Sequence, residues 1–481
     1  MKSHNLLVIS DLHLGEDLKP ATKSGYLPHV PLLERELESF LDHYRKSRRD
    51  GRPWELIVNG DMVDFLSVCL FPSEAEGATA GDDPDDKVWG LGTGAEAARR
   101  KMVRVLARHP GVFRALARFV GAGNKLGIVA GNHDVEFHWP VVQETFKRGM
   151  AAIWAEQPAA QRAGAPSAVD FEAAIAFHAW FYFQEDLCWI EHGHQYDSYC
   201  AFDHFTVPVE PNKEQIVLSL GAASYRYVAN HIAGADPHQQ EDWNALGYIR
   251  FSVGLGLGGL WRMLKGYAGM TWHMLHLWRL TNKHRDGVER RRTAHRKKLG
   301  ELATRFKLRE ETVVALDDLR QRPLIQNLAK LMMAVMLDRV ALVVFTALVA
   351  AVLLVALPLV GALVGVAAVL ASSVVTGQVL ARLRGHTDPD ELMKLVPQKI
   401  RDHVRAPFVV FGHSHQPVAL PLAGGGWYFN TGTWVATEKP GLLRAFTHLV
   451  IRRGEEGTPH ASLCQWRDGR STEFIPEAHA R

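Results

Sequence analysis

Leu6-Leu7-Val8-Ile9-Ser10-Asp11-Leu12-His13 is an apolar run of strand length that ends in a carboxylate and an imidazole two residues apart. The same device recurs four times. Leu56-Ile57-Val58 runs into Asn59-Gly60-Asp61, and Gly127-Ile128-Val129-Ala130 into Gly131-Asn132-His133-Asp134. Leu187-Cys188-Trp189-Ile190 runs into Glu191-His192-Gly193-His194, and Phe408-Val409-Val410-Phe411 into Gly412-His413-Ser414-His415. Each run has the β-branched or aromatic content of a strand, and each ends in a small or polar turn. In α/β sheets, sites gather where loops leave the carboxyl ends of strands. The series therefore predicts an α/β fold with one site assembled from five strand ends.

Taken singly, none of these motifs decides anything. A D-x-H triplet is commonly a surface accident, Asp61 could cap a helix, and any one histidine could be a hydrogen-bonded structural residue. As a set they supply carboxylate, amide and imidazole together. That mixture suits borderline divalent metals such as Mn, Fe, Zn or Co, and is too rich in nitrogen for a dedicated Ca or Mg site. There is no G-x-S-x-G elbow and no P-loop.

The order D-x-H, G-D-x-x-D, G-N-H-D, H, G-H-x-H, closed by Asn430-Thr431-Gly432-Thr433, resembles the calcineurin-like metallophosphoesterase family over residues 5–200 and 405–435. The resemblance implies a β-sandwich flanked by helices. It implies one metal on Asp11, His13 and His415, a second on Asn132, His192 and His413, and Asp61 bridging the two. It implies His133 at the phosphoryl or leaving oxygen, Asp134 orienting His133, and Asp64 behind the ligands. His194 competes with His192 for the ligand role; the family usually employs the His before Gly, which selects His192. Two such cations would convert a shared water to hydroxide for in-line attack on a phosphate ester, with His133 as general acid. The family's UDP-2,3-diacylglucosamine hydrolases also insert helices between the last two motifs, but usually carry Arg where this chain has His133. That pyrophosphatase chemistry is the alternative expectation, together with a nuclease or cyclic-nucleotide phosphodiesterase activity. A scaffold on a dead fold would lack ligands, and none is missing.

Outside the motifs the chain changes character. Its 481 residues exceed one ordinary domain. Helical periodicity covers 31–45 and 95–120, and 72–94 reads as a mobile acidic loop. We divide the chain into a first phosphoesterase part (1–204), a helical insertion (205–310), a membrane hairpin region (311–400) and a second phosphoesterase part (401–481). Residues 340–381 contain no charged side chain, and Pro358 and Gly361 stand near the middle. A span needs about 20 apolar residues, so two spans are expected, 340–357 and 362–381, joined by the link 358–361. The bland alternative is a buried hairpin in a soluble domain.

Net charge is only +3, so nucleic acid does not follow from charge and is not an expected partner. The basic run 283–298 includes Arg290, Arg291, Arg292, Arg296, Lys297 and Lys298, and fits anionic headgroups beside the hairpin. Cys69, Cys188, Cys200 and Cys464 form no CxxC pair, which suits a reducing compartment. The apolar start, Leu6 to Ile9, is too short for a secretory signal. The expectation is a cytoplasmic-membrane protein with catalytic domain and both termini in the cytosol, acting on a lipid-linked or amphiphilic phosphate ester.

Overall fold

The structure is a computed structural model, describing residues 4–20, 27, 29–72, 84–158, 167–232, 251, 254–383, 389–436, 445–454 and 457–476. It is a mixed α/β fold with two mixed sheets. The strands are β1 (Asn5–Ile9), β2 (Trp54–Asn59), β3 (Lys125–Val129), β4 (Ile175–His178), β5 (Phe181–Gln184), β6 (Cys188–Glu191), β7 (Phe408–Phe411), β8 (Pro417–Pro421), β9 (Trp427–Thr431), β10 (Thr447–Arg453), β11 (Pro459–Arg467) and β12 (Arg470–Glu473). The first sheet runs β12-β11-β10-β1-β2-β3-β4 and the second β5-β6-β7-β9-β8. Strands β1 to β4 are parallel neighbours, as are β6, β7 and β9.

Both faces of the central strands are covered, which explains their unbroken apolar sequences. Leu6, Val8, Ile57 and Val129 from the first sheet share a core with Cys188, Ile190, Phe408, Val410 and Phe429 from the second. The alternate residues Leu7, Ile9, Leu56, Val58 and Ile128 face the other way, into a helix-covered core. Side chains in a strand alternate faces, so each run feeds two cores at once. Its helices are α1 (His29–Lys46), α2 (Pro84–Trp89), α3 (Ala95–Arg108), α4 (Pro110–Gly121), α5 (Pro140–Ala155) and α6 (Ala168–Ala173). Later in the chain come α7 (Leu220–Tyr227), α8 (Gly256–Lys283), α9 (Arg285–Phe306), α10 (Glu310–Asp317), α11 (Leu328–Ala334), α12 (Leu337–Ala356), α13 (Leu359–Leu383) and α14 (Pro389–His403).

Several expectations are refined. The helical stretch 95–120 is two helices, broken at His109-Pro110, because proline lacks an N–H and its ring clashes with the preceding turn. The break has a use: His109 Nε2 accepts from the Gly15 amide at 2.9 Å and Nδ1 donates to Glu34 at 2.7 Å, steadying the loop after His13. Within the supposed acidic loop, Pro84–Trp89 is helical, and 73–83 lie outside the described residues. Parts of the region after residue 205 pack directly on the second sheet. Leu299 and Ala303 of α9, Val313 and Leu316 of α10, and Met393, Val396 and Ile400 of α14 pack with Trp189, Val409 and Phe411 on the outer face of the second sheet. The expected boundaries at 310/311 and 400/401 therefore fall inside α10 and α14.

Helices α12 and α13 are long and apolar enough to cross a membrane, and only 6% of each apolar window is buried. The buried-hairpin alternative fails on that exposure, with Val343, Phe345, Val352, Val355 and Val360 all exposed. The link between them is shorter than expected. Leu359 is already helical, and Pro358 accepts from the Ala362 amide at 2.9 Å, so Gly361 belongs to the helix. Pro358 suits this place, since the first amides of a helix have no partners to lose. Arg384, which follows the apolar stretch in the sequence, lies outside the described residues.

Candidate metal centre

Every motif residue leaves the carboxyl end of its strand, β1, β2, β3, β6 or β7. Buried cross-links hold these ends together. Asn59 Nδ2 donates to the Glu191 carbonyl at 2.9 Å, and His192 Nδ1 donates to the Asn59 carbonyl at 2.8 Å, tying β2 to β6. Ser10 Oγ lies 2.8 Å from Thr431 Oγ1, and Thr433 Oγ1 donates to the Asp11 carbonyl at 3.1 Å. Asn430 Nδ2 donates to the Gly412 carbonyl at 2.7 Å. The closing Asn430–Thr433 stretch thus braces the loops of β1 and β7.

Backbone strain is concentrated here. Asp11, His13, Asp61, His413 and His415 all have positive φ, between 47° and 68°. Non-glycine residues seldom adopt that region, and such outliers cluster at functional sites. Close approach also demands glycine at two turns. A Cβ on Gly60 would lie 2.2 Å from His192 Nδ1, and one on Gly131 would lie 2.1 Å from Asp61 Oδ1.

The expected ligands come together as two groups. Asp11, His13 and His415 bring ligand atoms within 4.8 Å of one another, and Asp61, His192 and His413 do the same. In the first, His415 Nε2 is 3.2 Å from Asp11 Oδ1 and 3.3 Å from His13 Nε2. In the second, His192 Nε2 is 3.2 Å from both Asp61 Oδ2 and Asn132 Oδ1. Asp61 Oδ2 also lies 4.0 Å from His13 Nε2, while the His133 amide donates to Asp61 Oδ1 at 2.8 Å. One carboxylate oxygen is anchored and the other faces both groups.

The residues fit a pair of cations. Asp11 Oδ1 is buried without a hydrogen-bond partner, and the bond from His192 Nδ1 to a carbonyl leaves its Nε2 lone pair aimed into the cluster. Burial pushes the Asp61 carboxyl up, but the His192 and His133 charges outweigh it and hold it well below the carboxylate range. Burial likewise lowers His192, yet Asp61 and Asp11 raise it to about 10. The buried Asp61 carboxyl and His192 ring thus hold each other in the charged form. No protein-family model matches the chain, and no curated protein matches it.

His194 is held differently. Its Nε2 accepts from Gln195 at 2.8 Å, whereas His192 is the one grouped with Asp61 and His413. The expected pairing of Asp134 with His133 is not found. Asp134 accepts from the Gly131 amide of its own loop at 2.6 Å and from the Met62 amide of the β2 loop at 2.8 Å, which uses both carboxylate oxygens to tie the two turns together. Asp64 is the partner of His133, with Oδ1 3.0 Å from Nδ1. Burial opposes charge on the His133 ring, but Asp64 and Asp61 raise it to about 9.

Two neighbours escaped the sequence reading. Asp197 Oδ2 is 3.3 Å from His413 Nε2, and its only signal was an acidic residue just beyond His-Gly-His. Tyr225 on α7 sets its ring edge-on to His133, centroids 4.9 Å apart, with no motif to announce it.

Proposed function

We propose that this chain is a dinuclear-metal phosphoesterase of the calcineurin-like type. The observation that carries the reading is the sharing of Asp61: its Oδ2 faces His13 on one side and His192 on the other, so two groups of ligands meet at one carboxylate. Asp11, His13 and His415 would hold one ion, Asn132, His192 and His413 the other. When bound, such a pair activates the attacking water and neutralises the phosphoryl oxygens. His133, braced by Asp64, stands beside the cluster to donate a proton to the departing oxygen. The exposed apolar hairpin supports a membrane-bound protein, for which we propose a lipid-linked or amphiphilic substrate, with catalytic domain and termini on the cytosolic side. Chelated protein should lose hydrolysis of bis-p-nitrophenyl phosphate, and added Mn should restore it. Undiminished turnover in a preparation shown to be free of metal would end the proposal.

A further inference from the structure

Helix α8 carries a feature the metal centre does not use. Leu257, Leu260, Trp261, Leu264 and Trp272 are all exposed, Leu257 at 89% and Trp261 at 69%. At 100° per residue they fall within an arc of about 120°, a stripe running about 22 Å along the helix. The opposite side is committed to protein: Met270 and Met274 pack with Tyr227, Leu331 and Val335. Gly266 lets the helix approach so closely that a Cβ there would lie 2.1 Å from the Tyr227 carbonyl oxygen. An amphipathic helix of this kind leaves a large apolar surface without a partner, which marks an interaction site.

What covers it follows from where the helix is tied. The Tyr267 hydroxyl donates to the Val335 carbonyl, two residues before α12 begins at Leu337. A bilayer that receives α12 at Leu337 has its surface at Tyr267, and Trp261 is six residues away, about 9 Å along the helix. Tryptophan and leucine flanked by cations suit the headgroup boundary. Arg262 and Arg279 are exposed on the same helix.

We infer that α8 lies in the plane of the membrane interface, with the Leu257–Trp272 stripe among lipid acyl chains and its cations at anionic headgroups. The inference rests on the hairpin being in the bilayer. It also gives the insertion a role in presenting substrate. Helix α7, against which α8 packs, carries Tyr225 onto His133, so the surface that touches lipid is one helix removed from the metal centre.

The test is spin-label depth measurement on the full chain in vesicles of phosphatidylcholine and phosphatidylglycerol, with the unsubstituted protein as background. Labels would sit at Trp261→Cys, Leu257→Cys, Val352→Cys in the hairpin, and Asp468→Cys on the exposed turn between β11 and β12. The expected result is position 352 deep in lipid, 261 and 257 some 5–10 Å into the interface, and 468 in water. A deep 352 with aqueous 261 and 257 overturns the inference and leaves the hairpin intact. An aqueous 352 removes the hairpin reading and this inference with it. Labels at 261 and 257 shielded from both oxygen and the aqueous reagent would assign the stripe to a protein partner, and overturn it as well.

Discussion

His133 Nδ1 lies 3.0 Å from Asp64 Oδ1, and Asp64 is itself clamped by Ser67, whose hydroxyl donates to Oδ2 at 2.6 Å and whose amide donates to Oδ1 at 3.0 Å. The ring is therefore fixed from behind by a carboxylate whose other oxygen, Oδ2, lies 3.9 Å from His13 Nδ1. Replacing His133 by Ala should keep both metals and lower turnover by on the order of 10²–10⁴, the range for a lost general acid. Asp64→Asn keeps the shape and removes the charge, and should lower turnover by roughly 10-fold to 100-fold. Metal analysis alongside kcat decides the matter: metal loss in His133→Ala equal to that in a ligand variant would make His133 a ligand.

Asp61→Ala should be the most damaging single change. It removes the one oxygen that faces both groups and leaves His192 and His13 without their common counter-charge. Bound metal should fall below one ion per chain, with activity at background. Asn132→Ala, which touches only one group, should lose one ion preferentially. Two ions retained by Asp61→Ala would break the bridging assignment.

The strand ends were legible because they are local: an apolar run, a glycine or small turn, and a ligand lie within ten residues of each other. What the chain does not write locally is which carboxylate turns toward which imidazole. Asp64 and Asp134 are both three residues or fewer from a motif centre, and only the crossing of the β2 and β3 loops gives His133 to Asp64. Tyr225 was illegible for the same reason, since it arrives from an insertion with no pattern tying it to the site. Turn lengths misled too. Pro358 and Gly361 both read as breakers, yet proline begins a helix readily and a glycine within one is tolerated.

Tyr225 lends itself to a graded test. An edge-on aromatic pair is worth about 0.5–1.5 kcal/mol beyond its buried area. Tyr225→Ala should therefore lower kcat/KM by roughly 2-fold to 13-fold, with metal content unchanged, and Tyr225→Phe should recover most of it. If Phe is as poor as Ala, the hydroxyl matters and the ring packing does not.

Acid stability has a marker outside the candidate metal centre. His448 is buried beside Phe40 and Tyr44, and burial lowers its imidazole to about 3. The unfolded chain takes up that proton near 6.5, so the residue's contribution to stability is complete above 6.5 and is lost as pH falls from there toward 3. Each unit below 6.5 costs about 1.4 kcal/mol. His178 is also held at about 3 by burial, so removing one histidine should make the slope shallower without abolishing it. Between pH 7.5 and 5.5, His448→Gln should lose roughly 1 kcal/mol less than the parent in denaturant melts. Parallel curves would show that His448 does not drive the acid loss.

The topology of the hairpin follows from the geometry of the candidate metal centre. Asp11, His13, Asp61, Asn132 and His192 all precede α12, whereas His413 and His415 follow α13. His415 Nε2 nevertheless lies 3.2 Å from Asp11 Oδ1, and the His192 and His413 rings are 5.3 Å apart. Chain segments that meet this closely must be on one side of any bilayer, so α12 and α13 cross it twice or not at all. Helices of 20 and 25 residues suffice for two crossings. The far side then sees only the link at Leu357-Pro358. A cysteine at Leu357 should react with an impermeant thiol reagent added outside intact cells. One at Asp402, exposed at the end of α14, should react only after lysis. Outside labelling at Asp402 without labelling at Leu357 would invert the orientation and leave the double crossing standing. Outside labelling at Asp402 but not at a cysteine in Lys46 would put the two halves of the chain on opposite sides, and no metal centre could then join them.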